Sequence, residues 1–167
     1  MLRRTYMPRS RTALWIVILA VVAALGVLYR PSDRGVQGTA FVTDGDSLRV
    51  QGVVIRLKGV DAPELHQTCS REGRPYRCGE AARQALLERI AGRPVACRIE
   101  GRDRYRRSLA RCRIDGQDLG AWLVLEGFAV GYHGYEAEES IARRRGVGLW
   151  AGEFERPSVW RQEHRAS

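Results

Sequence analysis

Residues 43–64 read TDGDSLRVQGVVIRLKGVDAPE, and the fold turns on them. Leu48, Val50, Val53, Ile55 and Leu57 supply the alternation of two half-buried strands, broken at Gln51-Gly52 by a turn signal. The stretch therefore predicts a β-hairpin. Asp44 and Asp46 stand at one strand end, Asp61 and Glu64 at its neighbour, and Arg56 projects from the same sheet. Carboxylates gathered in this way offer hard oxygen donors to a cation such as Ca²⁺, which takes about six to eight oxygens, carbonyls and waters included.

Outward from the hairpin, residues 39–43 predict a preceding strand. Residues 80–91, EAARQALLERIA, place Ala82, Leu86 and Ile90 at fourfold spacing and predict a helix stopped by Gly92 and Pro94. Strands over 95–100 and 108–115 come next, joined by an arginine-rich turn. Residues 119–126 predict a short apolar helix. A third helix, 136–145, has acids at its start and arginines at its end, as the helix dipole favours. Five short strands with a helix between the third and fourth predict an α+β, mainly β domain: a small barrel with a groove for nucleic acid.

The chain has 167 residues and a formal charge of +9, enough for one domain and an appendage. Five of the 28 basic residues (Arg3, Arg4, Arg9, Arg11 and Arg30) and none of the 19 acids fall in the first thirty positions, so the remainder is only +4. Arg98, Arg102, Arg104, Arg106, Arg107, Arg111 and Arg113 crowd one short stretch, either as a phosphate-binding surface or as a solvated hairpin. Residues 12–29 carry no charge and come after four arginines, which predicts a signal peptide or signal anchor over 1–30. Either reading places the rest of the chain outside the cytoplasm, periplasmic, secreted or membrane-anchored. Residues 31–37 read as a linker, 38–152 as the folded domain and 153–167 as a C-terminal tail.

Four cysteines in a small exported domain predict disulfides. Cys69 and Cys78 bracket a polar loop, and Cys97 and Cys112 each fall on the apolar face of a strand, so local pairing is expected: Cys69 with Cys78, Cys97 with Cys112. A zinc site lacks its CxxC spacing, and inert buried thiols are the alternative for the second pair.

Three motifs then fall in the order of one family. Thr43-Asp44-Gly45-Asp46-Ser47 resembles its DGDT element. Ile55-Arg56-Leu57 through Val60-Asp61-Ala62-Pro63-Glu64 resembles RL…VDTPE, and Asp103-Arg104-Tyr105-Arg106-Arg107 resembles DKYGR. Gly148-Leu149-Trp150 matches a terminal GLW. On these residues, over about 38–152, the chain resembles the thermonucleases, the staphylococcal nuclease family. The resemblance implies a five-stranded OB-fold barrel with three helices, here preceded by an N-terminal hydrophobic helix. It implies Ca²⁺ ligands at Asp46 and Asp61 and at the Ala62 carbonyl, with Asp44 in the outer shell. The catalytic trio becomes Arg56, Glu64 and Arg107; Arg104 and Tyr105 contact the nucleotide phosphate, and Tyr132 lies near a nucleotide-contacting segment. Ala62 and Ser47 stand where the family has threonine. Arg106 stands where it has glycine, which puts the shape of that turn in question.

The implied activity is an exported, calcium-dependent endonuclease hydrolysing phosphodiester bonds of DNA and/or RNA, breaking the bond to the 5′ oxygen. The implied partners are a nucleic-acid substrate and, if the N-terminus is uncut, a membrane, with the protein a monomer. Each residue alone has a plainer reading. Asp44-Gly45 is a turn signal, Asp61 a helix cap, and Arg56 half of a surface ion pair; Trp122 and Trp150 read as core. A noncatalytic OB-fold binding module tethered to the membrane is the alternative function, and a tethered protein scaffold a second.

Overall fold

The structure of the protein, a computed structural model, describes residues 14–21 and 35–164. Residues 14–21 are helical (α1) and belong to a compact unit separate from the rest. The expected signal or anchor segment otherwise lies outside the described residues. Among the described residues no helix is long and apolar enough to cross a membrane.

The second unit opens with β1 (Gly35–Gly38), β2 (Ala40–Asp44), β3 (Ser47–Val50), β4 (Val53–Leu57) and β5 (Val60–Asp61). A small hairpin of β6 (Cys69–Arg71) and β7 (Arg74–Tyr76) leads into α2 (Cys78–Ile90). Next come β8 (Val95–Arg102), β9 (Ser108–Ile114), β10 (Gln117–Asp118), α3 (Leu119–Leu125), β11 (Val130–Gly131) and α4 (Glu136–Arg145). A 3-10 turn (Gly148–Ala151) and α5 (Pro157–Glu163) end the described chain.

The architecture is α+β and mainly sheet. The main sheet runs β1-β8-β9-β4-β3-β2, with β10 added to β9. Its first and last strands are consecutive in the chain, separated by Thr39 alone, so one bent run pairs with β8 at one end and β3 at the other. The alternation read from the hairpin decides the interior: Leu48, Val50, Ile55 and Leu57 are buried, together with Val95, Ala110, Cys112 and Ile114 from β8 and β9. Ala82, Leu86 and Ile90 of α2 and Leu119 and Leu123 of α3 complete this core. Burying side chains of the size of valine, leucine or isoleucine stabilises by about 1.5–3 kcal/mol each against exposure.

Both expected disulfides are present. Cys97 and Cys112 are directly opposite partners in the β8–β9 ladder, and Cys69 and Cys78 close the loop around the β6–β7 hairpin. The second bridge anchors a satellite cluster with Val130 and Leu149, onto which Tyr76, Trp150 and Phe154 pack. Trp150 and Trp122 are thus packing residues, as their plainer reading had them, meeting Phe154 and Phe128 at 4.8 and 5.7 Å between ring centroids.

Two stretches read as connectors are structured. Residues 35–37 of the expected linker lie in β1, and the expected tail contains α5. Neither carries hydrophobic periodicity: β1 is four residues of GVQG held by backbone pairing to Val95–Arg98, and α5 has seven residues with only Pro157 buried. The two short sheets, β5–β11 and β6–β7, are likewise too brief for a pattern to show.

Candidate active site

A turn, a parallel pairing and a short ladder bring the predicted residues to one cavity of about 910 Å³. The β2–β3 connection is irregular at its Asp44 end, and the Asp44 carboxylate accepts from the Asp46 N–H at 3.2 Å. Leu57 N–H donates to the Asp46 carbonyl at 2.8 Å, which ties that turn to the end of β4. Because β4 pairs in parallel with β9, Ile55 opposite Ser108, the turn before β9 delivers Arg107 beside the strand that carries Arg56. The β5–β11 ladder sets Asp61 opposite Val130. Gly79 at the start of α2 lies so close to the 64–65 backbone that a Cβ there would sit 1.8 Å from the Glu64 carbonyl oxygen, so only glycine lets the helix seat this loop.

Arg56 knits the acids together. Its Nη1 donates to Asp46 Oδ1 and its Nη2 to Asp61 Oδ1, each at 2.8 Å. Asp46 also accepts from the Ser47 hydroxyl (3.0 Å) and, at Oδ2, from the Ala62 N–H (3.1 Å). Both carboxylates are buried, at 3% and 2% relative exposure. Burial pushes the Asp46 carboxyl up to about 7; Arg56 pulls the other way, and the nearby Asp44 adds to the rise.

Arg107 faces the same cavity from the 103–107 turn. Asp103 organises that turn: its carboxylate accepts from the Tyr105 and Arg107 N–H groups, both at 2.9 Å, and from Arg107 Nε at 2.7 Å. Burial alone would raise the Asp103 carboxyl, but these bonds outweigh it and hold it below the usual range. Arg106 adopts φ 67°, so the conformation a glycine would take there is kept, at a cost of about 1–2 kcal/mol for a residue with a Cβ. Arg104 lies 4.8 Å over the Tyr105 ring and Arg107 5.6 Å from it.

The arginine-rich stretch is not one surface. Arg104 and Arg107 line the cavity, whereas Arg98 and Arg111 converge on Glu100 across β8 and β9. Position divides them: Arg104 and Arg107 lie in the turn between β8 and β9, whereas Arg98 and Arg111 are opposite partners in the ladder, where the reading of a solvated hairpin holds.

Glu64, Arg104, Tyr105 and Tyr132 all line the cavity, as do three residues that sequence reasoning missed: Trp160, Arg161 and His164 of the C-terminal segment. Arg161 donates from Nη1 to Asp61 Oδ1 and Glu64 Oε1, both at 2.9 Å, and from Nη2 to Asp61 Oδ2 at 3.0 Å. The only signals available were Pro157 as a helix start, with Trp160, Arg161 and His164 after it at three- and four-residue spacing.

Among the described residues no three His, Cys, Asp or Glu side chains gather as a metal cluster. The two buried aspartates nonetheless converge on a single cationic group, the Arg56 guanidinium. That donor chemistry, two hard anionic oxygens beside a solvent-open cavity, fits a divalent cation completed by carbonyl and water.

Comparison with known proteins bears on this site. The family model described as "Staphylococcal nuclease homologue" matches residues 54–152. The succinoglycan biosynthesis protein ExoI of Rhizobium meliloti (strain 1021) is 37% identical over 80% of this chain and 76% of its own length. An uncharacterized endonuclease of Haemophilus influenzae is 28% identical over 74% and 71% of the two chains. A probable endonuclease LCL3 of Arthroderma otae is 31% identical over 65% of this chain and 44% of its own.

Proposed function

The chain belongs to the staphylococcal nuclease family, a family of nucleases, and from that premise we propose that it is an exported, calcium-dependent endonuclease acting on phosphodiester bonds of DNA or RNA. The observation that carries this reading is the shared cavity: Asp46 and Asp61 joined through Arg56, with Glu64 on the same side and Arg107 on the neighbouring turn. Asp46, Asp61 and the Ala62 carbonyl would hold the calcium ion. When bound, the ion supplies a Lewis acid for one phosphoryl oxygen.

The chain's own residues do the rest. Arg56 commits two of its five N–H donors to aspartates and keeps the others for a phosphate oxygen. Arg107 is fixed through its Nε, which leaves its terminal nitrogens for the other non-bridging oxygen. Two planar forks here offset the negative charge that grows as water adds to phosphorus. Glu64 takes the proton of that water, the water oxygen bonds to phosphorus, and the bond to the 5′ oxygen breaks with its electron pair. Arg104 and Tyr105 grip the flanking backbone. The two disulfides support export, since such bridges persist in oxidising compartments.

Digestion of single-stranded DNA by the purified full chain, with calcium or with a chelator, tests this. Cleavage is expected with calcium alone, and Glu64→Gln is expected to lower it by about 10²- to 10⁴-fold. Tight binding without cleavage under any divalent ion would make the protein a binding module.

A further inference from the structure

Helix α5 lies beyond the residues matched by the family model, yet it is fastened from three sides. Glu153 and Ser70 exchange backbone hydrogen bonds at 2.8 and 2.9 Å. The fully buried Gln67 donates to the Glu155 carbonyl at 2.7 Å and accepts from the Glu64 N–H at 3.2 Å, so one side chain ties the helix approach to the Glu64 loop. Arg156 donates to Glu139 on α4 at 2.5 Å. These fixings set Arg161 into the cavity wall.

There its Nη1 bonds Asp61 and Glu64 at once while its Nη2 takes the second oxygen of Asp61. Two carboxylates within reach of one nitrogen repel each other unless a cation lies between them. The planar fork removes that repulsion and fixes direction as well as distance, which a point charge does not. Only Oε1 of Glu64 is engaged in this way. Among the described residues its Oε2 has no hydrogen-bond partner, and the side chain is 39% exposed along the cavity.

We propose that Arg161 is a positioning residue for hydrolysis: its guanidinium clamps Glu64 against Asp61 through Oε1 and so holds Oε2 toward the attacking water. This rests on the reading of Glu64 as the base. Arg161 itself touches neither phosphate nor water in the reacting step. Without the clamp, a glutamate this exposed samples rotamers in which Oε2 is out of reach, so turnover falls while substrate capture does not.

The test is a double-mutant cycle on the full chain with wild type, Arg161→Ala, Glu64→Gln and the double variant, with Arg161→Lys alongside, reading kcat and KM for single-stranded DNA in calcium. Arg161→Ala should lower kcat on the order of 10²-fold, as expected when a reacting group is misplaced by about 1 Å, with KM changed less than about threefold. Arg161→Lys should recover part of the loss. The double variant should be no slower than Glu64→Gln alone. Melting temperatures of the same proteins in chelator should show the same non-additivity without turnover, and they also identify any variant that fails to fold. Wild-type rates in Arg161→Ala, a loss additive with Glu64→Gln, or faster cleavage would each overturn the clamp, the last by making the helix a plug. A wild-type chain that cleaves nothing overturns the nuclease reading beneath it, whereas active wild type with an indifferent Arg161→Ala sinks the clamp alone.

Discussion

Two of this domain's arginine–carboxylate clusters are built from the same chemistry to opposite balance. At Glu139 one carboxylate faces Arg143 and Arg156, both at 2.5 Å, and the Gly131 N–H at 2.7 Å. At the cavity Arg56 bridges Asp46 and Asp61, Arg161 bridges Asp61 and Glu64, and the Asp44 carboxylate lies beside Asp46 on neither arginine. Burial would raise the Glu139 carboxyl, but the Gly131 N–H and the two arginines outweigh it and hold it below the usual range. Burial raises Asp46 instead, because one guanidinium does not satisfy its acid neighbourhood. The first cluster is complete and braces α4, β11 and the approach to α5. The second leaves the buried Asp46 short of positive charge, which is the condition a bound cation relieves.

The largest effect should come from deepening that shortage. Arg56→Met removes the only cation that Asp46 and Asp61 share among the described residues, so cleavage should fall by about 10²- to 10³-fold, the range for losing one donor to a developing oxyanion. Stability should fall by about 3–5 kcal/mol, because the buried Asp46 is left without a cation while Asp61 keeps Arg161. Added calcium should restore part of the melting temperature and none of the same loss in a Glu139 variant. Equal calcium rescue at both clusters would erase the distinction between them.

The hairpin half of the site was legible because Leu48, Ile55 and Leu57 write their burial in a two-residue period, and because Asp46, Arg56, Asp61 and Glu64 fall at strand ends where the pairing must gather them. The disulfides were legible for a related reason: Cys97 and Cys112 share the apolar parity of strands that turned out to be direct partners. Arg161 was not. Its 97-residue separation from Glu64 is bridged by the buried Gln67, the Ser70–Glu153 pairing and the packing of Phe154, none of which leaves a periodic trace. Asp103 had a motif position and no role until its three accepted hydrogen bonds showed what shapes the Arg107 turn. Arg106 looked like a departure able to reshape that turn, and the same bonds hold the backbone in the left-handed form despite it.

A smaller effect is expected at the brace. Glu139→Gln keeps the shape but loses the charge that two arginines share, and should cost about 1.5–3 kcal/mol by chemical denaturation, the range for hydrogen bonds to a charged group. Cleavage per folded molecule should stay at the wild-type rate, since Glu139 lies outside the cavity lined by Asp46, Arg56, Glu64 and Arg107. A loss of kcat without a loss of stability would mean that the brace sets the α5 position tightly enough to act on Glu64.

The smallest effect is the acid limb of stability. A carboxylate with a lowered pKa in the folded state binds its proton more weakly there than in the unfolded chain, so stability is gained as pH rises. For Glu139 that contribution is complete above its ordinary value of 4.5 and is lost as pH falls through the depressed folded value. Denaturation measured from pH 7 down to pH 3 should therefore bring wild type and Glu139→Gln together at the acid end, the gap closing below about pH 4.5. A gap that stayed constant would locate the cost of the substitution in packing rather than charge, and the brace would no longer be the electrostatic opposite of the cavity.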